Sequence, residues 1–248
     1  MGSESDGDGG SKPRPRVQRA AEKWVRRLYV PAYTIGLAAK LAETHPRTVS
    51  GWYFGRPIPS GARTKRVLPG RVRRAPLSYL ELVEVAFVAT LRHMDIKLEQ
   101  IRIAHDFLRT RFAVEYPFAQ LKLKTDGAEV LKDLEVEQGD WVELMIVASR
   151  HGELLFREMI QDRIREFVYD EHWGWAITWY PRGVSGPVLV DPRVAFGAPV
   201  LREYGLPTWV VKGRYQAGES EAEIQEDFGI SLIAVRQALD FEGVPLAA

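Results

Sequence analysis

From Tyr33 to Trp52 the chain reads YTIGLAAKLAETHPRTVSGW. Apolar positions run through the first half, stop at a polar ETHP, and resume at RTVSGW. One surface helix would carry its stripe straight on, and a loop would lose the period. The pattern predicts two short helices joined by a tight turn. Ala38 and Ala39 are small enough for a close crossing. Ile35, Leu41, Val49 and Trp52 fall where a shared core needs apolar groups. Pro46 suits the first turn of the second helix, where its missing N–H costs nothing. Thr44 or His45 would cap that helix.

The following elements are legible in the same way. Gly55 to Pro76 is rich in Gly, Pro and basic residues and predicts a loop or hairpin. LELVEVAFVATLRHM then predicts an apolar helix, with Ser78 as its cap and Glu81 three residues on. Asp95 and Ile96 break it, and LEQIRIAHDFLRTRF predicts a second, amphipathic helix. Past Pro117, AQLKLKTDGAEVL alternates as two strands around an Asp126–Gly127 turn. WVELMIVA predicts a strand, LLFREMIQDRIREF a helix, WAITWY a strand, and Pro181 to Pro187 a linker.

Near the end, short extended pieces flank Asp191–Pro192, and three helices follow. The first runs from about Thr208 to Ala217 and stops at Gly218. The second opens on a Ser220/Glu223 capping box and stops at Gly229. The third begins after Ser231 and runs to about Phe241. The expected fold is α+β and mainly helical. A disordered tail over 1–22 is expected to precede a DNA-binding domain over 23–117. A β-containing middle region and linker covers 118–183. An acidic three-helix domain with a short β-hairpin covers 184–248.

Charge sharpens this division. Residues 1–125 hold 23 Lys+Arg against 11 Asp+Glu, a net of +12. Residues 126–248 hold 11 against 22, a net of −11. The split implies two different partners: phosphates for the basic half, a basic protein for the acidic half. The chain has no Cys, which excludes disulfides, thiolate metal sites and cysteine nucleophiles. It has no apolar h-region at its start and no apolar run long enough for a bilayer, so a cytoplasmic address and no membrane are expected.

The chemistry of the opening stretch is that of a helix-turn-helix. The N-terminal end of its second helix enters the major groove. Thr44, Arg47, Thr48 and Ser50 sit there, and Arg can bond a guanine edge bidentately. The basic stretch behind it supplies Arg63, Lys65, Arg66, Arg71, Arg73 and Arg74 for phosphates. Tyr33, Thr34, Ile35, Gly36, Ala39, Leu41, Arg47 and Thr48 resemble the MerR type of winged helix-turn-helix. The basic wing and two following helices keep that family's order, over about residues 33–112. Glu43 and Thr44 stand where the family has Gly-Val in the turn, and Gly51 replaces an aromatic residue. The resemblance implies operator binding as a homodimer.

The C-terminal unit resembles a widespread small bacterial domain of unknown function. Asp191, Pro192, Gly197, Pro199, Gly218, Glu219 and Ser220 carry the likeness, and Arg202 to Pro207 departs from it. The pairing of the two units resembles the VapB-type antitoxins. It implies a cognate PIN-domain ribonuclease toxin as partner. From Ser220 to Glu242 the unit has six acidic residues and one basic, Arg236, so it would be repelled by DNA. Partner binding is expected at Glu221 and Glu226, with Trp209, Phe228 and Phe241 as apolar anchors.

Catalytic motifs are absent. The five His residues, at 45, 93, 105, 151 and 172, show no metal spacing. His105 is expected on a helix surface. There is no phosphate-binding Gly-rich loop and no nucleophile elbow. Neither a cofactor nor a metal is expected, and the protein is expected not to be an enzyme. Trp173, Trp175, Trp179 and Tyr180 form the one aromatic concentration. They could line a pocket, and the alternative reading is then a MerR-like small-molecule-sensing transcriptional regulator. A core or a protein interface is the competing use of the same residues.

Overall fold

The computed structural model describes residues 23–120 and 165–245. The expected Asp126–Gly127 hairpin, the WVELMIVA strand and most of the LLFREMIQDRIREF helix lie outside the described residues.

A helical turn at 23–27 leads into α1 (Ile35–Leu41) and α2 (Pro46–Phe54). Thr34 caps α1, its hydroxyl accepting from the Leu37 N–H at 3.1 Å. Ala38 and Ala39 are fully buried, which lets the two helices cross closely. His45 caps α2 through Nδ1, which accepts from the Arg47 N–H at 3.1 Å, and Pro46 takes the first position. The turn between them contains Glu43 at φ 50°, a left-handed conformation uncommon outside Gly and Asn.

Helix α3 (Tyr79–His93) begins on the expected Ser78/Glu81 capping box, with bonds of 3.2 and 2.7 Å. Buried residues line it on nearly every side, so it forms the centre of the larger core. Asp95 ends the region at φ 61°, and α4 (Leu98–Phe112) follows. On α4, Ile101, His105 and Leu108 turn inward. His105 is therefore not a surface residue. It is 1% exposed, and its Nε2 lies 2.9 Å from Glu84 Oε2. The Phe118 N–H donates to the other Glu84 oxygen at 2.8 Å. Burying this carboxylate required partners on both oxygens, which periodicity alone does not disclose.

From Phe167 onward the chain forms an antiparallel four-stranded sheet in the order β1 (Phe167–Asp170), β2 (Trp175–Trp179), β3 (Val188–Val190), β4 (Pro199–Leu201). Phe167 faces Trp179, Asp170 faces Trp175, and a register shift lies between Val168 and Tyr169. Trp179 faces Val190, and Val188 faces Leu201. Two expectations are corrected here. Phe167, placed in a helix by its charged neighbours, begins β1. Pro181 to Pro187 joins two paired strands and does not separate two bodies, so the sheet spans the expected 183/184 boundary.

Four aromatic rings stack from the turn at Pro117–Ala119 through α3 to the sheet. Phe118 lies 5.5 Å from Phe87, Phe87 5.3 Å from Phe167, and Phe167 5.6 Å from Trp179, all within 20° of parallel. Each is buried, and together they fuse α3 with the sheet.

The last third forms α5 (Thr208–Gln216), α6 (Glu221–Phe228) and α7 (Leu232–Phe241). The Ser220/Glu223 box opens α6, left-handed Gly229 closes it, and Ser231 caps α7. These helices pack on β4 around a second core of Leu201, Val211, Ile224, Ile230, Ala234, Val235, Ala238 and Leu239.

Candidate nucleic-acid interface

The basic residues expected to touch DNA fall into two groups once their partners are known. Arg47 is exposed on the first turn of α2, with Thr48 and Ser50 half-buried beside it and Thr44 in the preceding turn. Ser50 lines a shallow cleft together with Thr34, Phe54, Arg73 and Arg74. Arg73 holds its guanidinium 4.8 Å from the Phe54 ring, and Arg74 sits at φ 65°. The end of α2 and the turn at Arg73–Arg74 thus converge on one face. Lys65 and Arg66 are exposed on the same basic segment. That segment makes a small hairpin, with Pro57 bridged to Arg63.

Arg63 and Arg71 are used differently. Arg63 donates to the Phe54 carbonyl at 2.8 Å and the Gly55 carbonyl at 2.7 Å, satisfying the end of α2. Arg71 pairs with Glu81 at 3.0 Å, donates to the Ala75 and Pro76 carbonyls, and covers the Tyr53 ring. Its side chain is only 8% exposed. These two arginines hold the wing to the helices; Arg63 stays exposed with N–H donors to spare, whereas Arg71 is largely enclosed.

One exposed arginine was missed. Arg56 follows the left-handed Gly55, and its side chain runs back along α2 over Gly51. The signal in the sequence was the pair of glycines before it, which permit that path.

The C-terminal unit touches this region through Glu242. Its carboxylate accepts from Lys40 of α1 at 2.7 Å and from the Thr208 hydroxyl at 2.6 Å, with Lys212 3.7 Å away. Burial opposes ionisation of Glu242, but the bonds from Lys40 and Thr208 and the two nearby ammonium charges outweigh it. They hold the carboxyl below its ordinary range. Lys40 also lies 5.2 Å from the Phe241 ring. Phe241, expected as a free anchor, is 5% exposed and packs into the larger core. Its position at the end of α7, against α1, removes it from any partner surface.

Of the other expected anchors, Trp209 is 60% exposed on α5, and Phe228 is half-buried under the Arg214 guanidinium. Arg214 pairs with Glu219 and Asp227. Glu226 is exposed, and Glu221 pairs with Arg236 at 2.7 Å. Glu223 is held below the usual carboxylate range by the bonds from Ser220. Ile233, 69% exposed on α7, was missed.

The hallmark Asp191 is structural. Its oxygens accept from the Thr178 hydroxyl at 2.7 Å and from Arg193 at 2.6 Å, tying β3 to β2. The Trp cluster is also largely packing: Trp179 is fully buried, Trp175 meets Tyr29 edge-on, and Trp173 meets Trp24. Among the described residues no group of three or more His, Asp or Glu could hold a metal. No helix among them is long and apolar enough to cross a membrane.

Comparison with known proteins bears on both halves. Residues 188–241 match the family described as a protein of unknown function (DUF433). The chain is 25% identical over 227 residues to a Mycobacterium tuberculosis protein named "Putative antitoxin VapB45". That match covers 86% of this chain and 95% of the relative. The crystal structure of Rv2018 from Mycobacterium tuberculosis matches with a TM-score of 0.66 and 25% identity. It covers 86% of this chain and all of the other. The likeness therefore extends far beyond the C-terminal unit.

Proposed function

We propose that this protein is an antitoxin that also represses its own operon. In this reading α1 and α2 form a MerR-like helix-turn-helix, with 55–76 as its wing. A homodimer binds a two-fold operator in the cytoplasm. Arg47, Thr48 and Ser50 face bases, while Lys65, Arg66, Arg73 and Arg74 face phosphates. The acidic C-terminal unit neutralises a PIN-domain ribonuclease toxin. Trp209 supplies the apolar anchor, and Glu226 is an exposed acidic contact. The chain itself carries out no catalysis.

The likeness to "Putative antitoxin VapB45", across nearly the whole of both chains, carries this reading. The charge split supports it independently: a basic N-terminal half suits DNA, and an acidic remainder suits a basic RNA-binding enzyme. The burial of Trp179 and the packing of its neighbours weigh against the sensor alternative, which needs those rings around a ligand.

Two measurements test it. The chain should co-purify with a co-expressed PIN-domain protein encoded beside its gene and abolish that protein's ribonuclease activity. It should also shift a duplex taken from upstream of its own coding region in preference to a scrambled one. Failure of the first with success of the second would reduce the reading to a transcriptional regulator.

A further inference from the structure

We propose that Arg56, which lies outside α2, reads a guanine edge beside it. The inference rests on the DNA-binding reading above and adds the residue that supplies discrimination. Three observations support it.

The first is how the backbone is fixed. Gly55 sits at φ 67°, and a Cβ there would strike the Thr64 carbonyl oxygen, so only glycine lets the chain turn back at this point. The Arg56 N–H donates to Thr64 Oγ1 at 2.8 Å, and the Thr64 N–H donates to the Arg56 carbonyl at 2.8 Å. Arg63 holds the two preceding carbonyls. The base of the Arg56 side chain is thus anchored from both directions.

The second is the path of that side chain. It crosses α2 over Gly51: a Cβ at that position would lie 3.1 Å from both Cγ and Nε of Arg56. Its Nη2 reaches to 3.5 Å from Thr48 Oγ1. Any larger residue at 51 would occupy the groove that Arg56 uses. The glycine in the middle of a recognition helix, otherwise a cost to helix stability, is explained by this passage.

The third is what the guanidinium lacks. Arg71 is paired with Glu81, whereas Arg56 has no ion pair among the described residues and is exposed. Its remaining N–H donors stay available next to Thr48. A guanidinium held in place before binding presents two parallel donors, which match O6 and N7 of guanine. Phosphate contact alone would not need this positioning.

The test compares full-length wild type with Arg56→Ala and Gly51→Ala. Binding is measured to the duplex upstream of its own coding region and to a scrambled duplex of equal composition. Arg56→Ala is expected to reduce the preference for the upstream duplex by about ten-fold or more. Gly51→Ala is expected to lose part of that preference while raising the melting temperature, a combination that a merely structural role for Gly51 would not give. In a series of upstream duplexes with single 7-deazaguanine replacements, one position should weaken wild type and leave Arg56→Ala unaffected. Loss of affinity by Arg56→Ala that is equal on both duplexes would make Arg56 a phosphate contact and overturn the assignment. So would an unchanged preference in a wild type that discriminates. A wild type that binds both duplexes alike would overturn the DNA reading, and this inference with it.

Discussion

Lys40 Nζ lies 2.7 Å from a carboxylate oxygen of Glu242, joining the first helix of the basic unit to the residue that follows the last helix of the acidic one. Because the Glu242 carboxyl is held below its ordinary range in the fold, its ionised form favours the folded state. That contribution is fully present above the carboxyl's unfolded pKa. It is lost as pH falls through the lower folded value. Glu242→Gln is expected to cost about 1 kcal/mol at neutral pH, with Lys40 partly exposed and screened. The difference from wild type should shrink in acid. Chemical denaturation from neutral to acidic pH measures this, and a gap that widens in acid would contradict the sign.

The stacked rings make a second expectation quantitative. Phe167→Ala removes the ring between Phe87 and Trp179 and should cost about 3 to 5 kcal/mol. A fragment ending at Pro117 lacks both Phe118 and Phe167, so Phe87 loses both stacked neighbours. That fragment should melt well below the full chain in a calorimetric scan. Equal melting temperatures would show that the sheet contributes nothing to the N-terminal core.

The basic residues should separate by role. Arg47→Ala is expected to weaken binding to the upstream duplex by about 1 to 3 kcal/mol and to leave the scrambled duplex nearly unchanged. Arg73→Ala with Arg74→Ala should weaken both alike and flatten the salt dependence. Arg71→Ala should instead lower thermal stability, because it releases Glu81 and two carbonyl oxygens. A gel-shift salt series beside a melting curve distinguishes the three outcomes.

The acidic unit offers a similar contrast. Trp209→Ala should change stability by less than about 0.5 kcal/mol, since the ring is exposed, yet weaken toxin binding by about 2 kcal/mol or more. Phe241→Ala should do the reverse, because its ring is core. Glu226→Lys should slow association and reduce its dependence on salt. Calorimetric titration and stopped-flow mixing with the PIN-domain protein check these. A Trp209→Ala variant with full affinity would remove α5 from the interface.

What the sequence disclosed, it disclosed through short-range chemistry. Ser78 with Glu81, Ser220 with Glu223, and Ser231 each mark a helix start because a cap bonds within three residues of itself. Helices α3, α6 and α7 accordingly fall where expected. The sheet was less legible, because Phe167 and Trp179 pair from positions twelve apart, through the turn at Glu171–Gly174 and not through local spacing. Arg63 and Arg71 looked like Arg73 and Arg74 in composition. Only their carbonyl and carboxylate partners set them apart. Arg56 escaped notice because its use depends on an empty space at Gly51, and absent atoms leave no periodic trace. Phe241 was misjudged because the end of an amphipathic helix can face its own unit or a neighbour.

The connection from β2 to β3 bears on how such a chain can be recombined. The family match begins at Val188, the first residue of β3, and a graft made there would look natural from the sequence. It would leave one side of β3 unpaired and deprive Asp191 of the Thr178 hydroxyl. An uncovered strand edge invites pairing with other copies. A cut ahead of Phe167 keeps the sheet whole but strips Phe87 from its inner face, so the acidic unit travels intact only with the helix that covers its sheet.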